Sequence, residues 1–149
     1  MKTLNEETII YDDDCPMCSI YTNAFIQTKM LDSNGRIRYS EAHGEKRYSI
    51  DWDRARHEIA LVNRREGTVR YGLDSLLHIL GNRWRWMARL FEWKPLYVLM
   101  NSLYKFISFN RKVIAPPARF RAQGACTPDY HGPLRWTYLL LSSLITGLI

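Results

Sequence analysis

Thr8-Ile9-Ile10-Tyr11-Asp12-Asp13-Asp14-Cys15-Pro16-Met17-Cys18 is the stretch that decides the fold. Its first four residues are β-branched or aromatic and read as a buried strand. Three aspartates break that strand, and helical spacing begins directly behind them: Cys18, Tyr21, Thr22, Phe25 and Ile26 fall on one face. A Cys-X-X-Cys pair therefore stands where a strand feeds a helix. Backbone N–H groups and the helix dipole at a first turn favour a thiolate over a thiol, and such cysteines have pKa values lowered from about 8.5 to about 3.5–7.5. Cys15 takes the cap position, with its sulfur toward those N–H groups and toward solvent. Pro16 fits the first helical position, where its missing N–H costs nothing. Cys18 lies one turn on, within reach of a mixed disulfide on Cys15, so Cys15 reads as nucleophile and Cys18 as resolving thiol.

Working outward, Asp32-Ser33-Asn34-Gly35 ends the helix and Arg36–Tyr39 is an alternating strand. Residues 41–57 are polar, with at most a short helix. Residues 58–63 form the next strand, and Val69–Gly72 returns as its hairpin partner after the turn at Arg65–Thr68. Asp74 or Ser75 caps a helix through Leu80 that Gly81-Asn82 closes. The order is that of an α/β domain with a parallel start and an antiparallel hairpin, over residues 5–81. Beyond it, Trp84, Met87, Leu90 and Phe91 share one helical face. Leu96, Leu99, Met100, Leu103, Tyr104 and Ile107 share another, which Pro116-Pro117 stops. This basic, Trp-rich extension covers 82–121, and 122–149 is a linker with an apolar tail.

Tyr11, Asp12, Asp14, Cys15 and Cys18 resemble, position by position, the Y-D-G-D-C-x-x-C signature of the DCC family of thiol–disulfide oxidoreductases. The likeness extends through the strand pair at 58–72, the helix at 74–80 and the basic helical region to about Arg121. It implies a thioredoxin-like mixed sheet with the Cys-X-X-Cys at the start of the first helix, and a C-terminal helical extension. It further implies dithiol–disulfide exchange with a protein or small-thiol partner and no bound cofactor. Asp13 stands where glycine is usual. Aspartate tolerates a left-handed turn, and its cost is a third negative charge beside Cys15, which raises that thiol's pKa. Thioredoxins also place a cis-proline just before the third strand. Here Arg56-His57-Glu58 occupies that place, so backbone pairing with a substrate there is not implied.

Other residues admit two readings. Asp12 and Asp14 relay protons for the thiols, or Asp14 caps the helix while Asp12 bonds turn amides at the strand end. His43 and His57 lie in the polar stretch before the third strand, either near the thiols or solvated; His78 reads as an edge residue. With three cysteines in 149 residues there is no disulfide framework. Cys15, Cys18, Cys126 and His131 form an alternative zinc set, the latter two at C-x₄-H spacing. That rival is a zinc-stabilised interaction module, and another is a membrane-associated subunit whose cysteines have lost their task.

Charge divides the chain. Residues 1–81 hold 11 Lys/Arg against 13 Asp/Glu, and residues 82–149 hold 10 against 2, so a net −2 is followed by a net +8. With Trp84, Trp86, Trp93 and Trp136 in the basic part, residues 83–149 suggest a membrane surface rather than nucleic acid. Trp136–Ile149 carries no charge but is short of the about 20 residues a span needs. No secretory signal is visible. Arg111, Lys112, Arg119, Arg121 and Arg135 flank the tail and favour the cytoplasmic side, at the inner face of a membrane.

Overall fold

A computed structural model describes residues 3–42, 49–116 and 130–148. Strand β1 (Glu7–Tyr11) leads into helix α1 (Pro16–Gln27), and strand β2 (Arg36–Arg38) pairs parallel with β1. Two short helices follow, α2 (Tyr39–Ala42) and α3 (Trp52–His57). Strands β3 (Ala60–Asn63) and β4 (Val69–Tyr71) form the antiparallel hairpin, and β3 also pairs antiparallel with β1. The mixed sheet has the order β2-β1-β3-β4, with β1 in the interior beside both partners. This is the α/β class expected from the sequence, with a thioredoxin-like placement of the two cysteines at the start of α1.

Alternation along the strands fills both faces of the sheet. Ile9 and Leu61, paired across β1 and β3, point to one side with Phe25, Met30, Leu31 and Ile79. Ile10, Ala60 and Val62 point to the other, under Tyr39, Ala42 and Ala55. This period-2 segregation is what a sheet covered on two sides requires.

Helix boundaries depart from the expectation in two places. Helix α1 stops at Gln27, before the Asp32–Gly35 turn: Lys29 is left-handed at φ 56°, and the Phe25 carbonyl accepts from both Met30 N–H and Leu31 N–H. Helix α4 (Gly72–Arg83) starts without a side-chain cap and runs past Gly81. Gly72 sits at φ 61°, and a Cβ there would meet Glu58 Oε2 at 2.8 Å, so only glycine turns the chain from β4 into α4. Asp74 is engaged elsewhere, accepting from the Tyr97 hydroxyl at 2.7 Å.

Helix α5 (Arg85–Phe91) packs back on α4, with Ala88 against Gly81. Helix α6 (Lys94–Ile114) is 21 residues long and carries most of the consequence for the site. It is bonded to the sheet unit through Tyr97, through Tyr104, whose hydroxyl accepts from Ile59 N–H at 3.1 Å, and through Arg111. The apolar stripe expected on α6 divides. Leu96, Met100, Tyr104 and Ile107 turn inward or sideways, while Leu99 and Leu103 face out. Helix α7 (Gly132–Gly147) lies against α6, where Asn110 Nδ2 donates to the Leu134 carbonyl at 3.2 Å and Phe106 meets Tyr138.

Candidate active site

Cys15 is the N-cap of α1. Its extended backbone (φ −97°, ψ 108°) points the sulfur back over the first turn, where Cys18 N–H donates to Cys15 Sγ at 3.2 Å. Pro16 occupies the first helical position, as its fixed φ favours. Both thiols are free and packed with Tyr11, with Met17 and Tyr21 alongside. Cys15 is only 1% exposed and Cys18 3%, so the expectation that Cys15 faces solvent is overturned.

The two sulfurs differ sharply. The Cys18 thiol donates to the Cys15 sulfur; burial opposes ionisation, but the Cys18 N–H and the nearby Arg111 guanidinium add to the pull. Together they bring Cys15 down from 9.0 to about 7. The same thiol–thiolate bond, reinforced by burial, drives Cys18 far upward. When the pair loses its first proton, the one that remains stays on Cys18.

Beneath the thiols lies an ion pair absent from the sequence reading. Arg111 Nη2 is 2.9 Å from Asp12 Oδ2, with Lys112 Nζ at 3.9 Å, and Asp12 and Arg111 are both buried. Arg111 also donates to the carbonyls of Arg56 (2.9 Å) and His57 (3.4 Å), and Ser108 donates its hydroxyl to the His57 carbonyl as well. One guanidinium therefore ties α6 to the cysteine turn and to the last residues of α3. Burial pushes the Asp12 carboxyl above its ordinary range, against the pull of Arg111 and Lys112. A sequence profile of DCC1-like thiol-disulfide oxidoreductases matches residues 9–115, from inside β1 to the end of α6. The chain belongs to the DCC1-like thiol-disulfide oxidoreductase family. No curated protein sequence and no solved structure matches the chain.

Within this DCC1-like site, the aspartates take different places from those expected. Asp14 is not the helix cap, since Cys15 holds that position. Asp14 instead donates its backbone N–H to Asp12 Oδ1 at 3.0 Å, so Asp12 is the residue that bonds the turn. Asp13 turns outward, where its Oδ2 accepts from the Ser40 hydroxyl at 2.9 Å. Lys29 is the only non-glycine residue of positive φ among the described residues, so Asp13 adopts no left-handed conformation and glycine is not required there. The carboxylate that opposes ionisation of Cys15 is Asp12. Asp13→Gly should therefore leave the Cys15 pKa within about 0.3 units and cost less than 1 kcal/mol, a surface-sized effect. A fall of a full unit on thiol titration would restore a direct role for the Asp13 charge.

The remaining candidates are dispersed. The His57 ring stacks on Phe109 at 5.1 Å, and it is the His57 carbonyl that faces the site, through Arg111. His78 is half-buried and bonds Glu7, Nε2 to Oε1 at 3.2 Å, tying α4 to β1. His131 caps α7 and lies beside Phe109. His43 and Cys126 fall outside the described residues, and so does any test of the zinc set that includes Cys126. Among the described residues no three His, Cys, Asp or Glu side chains converge as a metal site.

Arg111 had one legible signal. It continues the inward line Met100, Tyr104, Ile107 at helical spacing, and an arginine on an apolar stripe calls for a buried anion. The surface-flank reading of Arg111 is overturned for that reason: its partner is Asp12, not lipid.

Proposed function

We propose that this protein exchanges a Cys15–Cys18 dithiol for a disulfide with a thiol or disulfide partner. The observation that carries the reading is the Cys15 sulfur held at the start of α1 by Cys18 N–H and by the Cys18 thiol, beside a buried arginine. Cys15 is the thiolate of the pair, Cys18 holds its proton, and Asp12 positions the turn and Arg111. No cofactor is invoked: the electrons travel in the sulfur–sulfur bond.

The test is alkylation by iodoacetamide across pH. Wild-type protein should modify at Cys15 with a midpoint near pH 7, Cys15→Ser should react at least tenfold more slowly at that pH, and mild oxidation should close Cys15 to Cys18. A Cys15 midpoint at 8.5 or above would remove the physical basis for exchange. The linkage has a definite sign. Because Cys15 is depressed in the folded dithiol, its contribution to stability is fully present above about pH 9 and is lost as pH falls through 7. Cys18 acts oppositely, but only above about pH 9, where the unfolded thiol ionises and the folded one does not. For this pair the reduced protein should gain stability from pH 7 to pH 9 and lose it beyond.

A second reading concerns location. Among the described residues no helix is long and apolar enough to cross a membrane. Trp86, Trp93, Val98, Leu99, Trp136, Leu140 and Leu144 are nevertheless exposed, beside the exposed cations Arg85, Arg89, Lys94 and Lys105. That pairing of apolar and basic surface fits an anionic membrane face, on the cytoplasmic side where such lipids concentrate.

A further inference from the structure

Helix α3 ends beside α6 and the first turn of α7, and a half-open cavity of about 440 Å³ lies between the three. It is separate from the thiol site. Neither Cys15 nor Cys18 lines it, and His57 gives it a side chain while its carbonyl accepts from Arg111. Part of the wall is apolar: Phe109 and Leu134, with the His57 and His131 rings against Phe109 at 5.1 and 5.2 Å. The polar part is basic, with Arg54 from α3, Lys105 from α6 and His131 from the start of α7. Glu58 is the one carboxylate among the described wall residues, and Arg54 Nε already donates to its Oε2 at 3.1 Å. Lys105 is exposed and has no ion pair among the described residues.

We infer that this cavity binds the phosphate group of a small ester or of a lipid headgroup. Charge is the first reason. Arg54 and Glu58 offset one another, so Lys105 leaves the wall in positive excess before either imidazole takes up a proton. The donors are the second reason. The ammonium carries three N–H bonds, the Arg54 guanidinium keeps its Nη groups beyond the Nε–Glu58 bond, and an imidazole donates one N–H even when neutral. They come from three elements on different sides of the cavity. A tetrahedral anion accepts from several directions at once, whereas a planar carboxylate is matched by a single guanidinium fork. Size is the third. The volume falls in the range of small-molecule sites and exceeds what a phosphate alone fills, so the carbon part of an ester lies along Phe109 and Leu134. The same two helices expose Leu99 and Leu103 on α6 and Leu140 and Leu144 on α7, so a lipid phosphate is a fitting source beside a soluble one. No step of the thiol exchange passes through this cavity.

The experiment uses the reduced full chain and follows the imidazole C2–H proton resonances while glycerol 3-phosphate, sulfate or acetate is added at equal ionic strength. Glycerol 3-phosphate and sulfate should shift His57 and His131 and saturate with a Kd of about 1 mM or below, while His78, tied to Glu7, stays in place. Acetate should produce no saturable shift. Lys105→Gln and His131→Gln should each weaken glycerol 3-phosphate binding at least tenfold, with circular dichroism and Cys15 alkylation unchanged. Lys94→Gln, at the other end of α6, should not weaken it. Vesicles containing phosphatidic acid separate the two sources. Vesicle binding that glycerol 3-phosphate competes away and Lys105→Gln abolishes names a headgroup; a response to the soluble ester alone names a small ester, and either supports the site. Equal responses to glycerol 3-phosphate and acetate, no shift at His57 and His131, or equal weakening by Lys94→Gln would reduce the effect to general charge screening and overturn the proposal. The alkylation and disulfide tests of the exchange reaction are independent of every one of these outcomes.

Discussion

Arg111→Met should lower folding stability by about 3–5 kcal/mol, the cost of stranding one partner of a buried ion pair. The loss comes less from a missing attraction than from what remains. Asp12 is 4% exposed, and its Oδ2 would be left with Lys112 at 3.9 Å as its nearest cation. The Arg56 carbonyl would also lose its Arg111 donor, while the His57 carbonyl would keep Ser108. Asp12→Asn in the same chain should recover part of the loss, because the stranded charge is then gone, and Arg111→Lys should fall between. The thiol carries an independent readout. Arg111 helps to hold Cys15 low, so the Cys15 pKa should rise in Arg111→Met and hardly move in Arg111→Lys. Urea unfolding of the four proteins measures the first effect and iodoacetamide rates the second. A loss below 1 kcal/mol in Arg111→Met, with Cys15 unmoved, would mean that water reaches Asp12 and that the pair does not lock α6.

That experiment also marks where the sequence is informative. The succession of strands along the chain and the parallel start followed by a hairpin were legible, because the apolar runs Thr8–Tyr11 and Ile59–Val62 are local signals. So was the Cys-X-X-Cys at the helix start, which Pro16 announces. Burial of Cys15 was not legible, since nothing in Asp12–Cys18 tells that the two sulfurs pack in a cluster with Tyr11, Met17 and Tyr21. Asp14 looked like a cap from its position alone, but Cys15 takes the cap position and its sulfur accepts from Cys18 N–H. Arg111 stands 99 residues from Asp12, and no local rule pairs them. Its place on the inward stripe of α6 was visible, whereas its partner depends on how α6 crosses the sheet. The matched family region, 9–115, includes that helix and so both members of the pair.

The exposed apolar face leads to the other large effect. Leu140 is 69% and Leu144 62% exposed on α7, so neither contributes much to packing, and both can be changed without a core cost. If α7 lies in a lipid interface, each leucine contributes up to about 1.5–3 kcal/mol on insertion. Exposed cations on α5 and α6 add about 1 kcal/mol each near anionic lipid. The full chain should therefore sediment with phosphatidylserine-containing vesicles at low salt. Leu140→Glu with Leu144→Glu should weaken that binding at least tenfold, with thermal stability and Cys15 alkylation unchanged. Raising salt to about 0.5 M should weaken the remaining binding further, since the Debye length then falls to a few ångströms. Zwitterionic vesicles should bind less, which separates the basic contribution from the apolar one. Arg111 must not count among these cations, because Asp12 already neutralises it; Lys94→Glu or Lys105→Glu should matter where Arg111 does not. A chain that ignores anionic vesicles, or that forms a dimer dissolved by the same leucine substitutions, would assign this face to a second copy of the protein and sink the membrane reading.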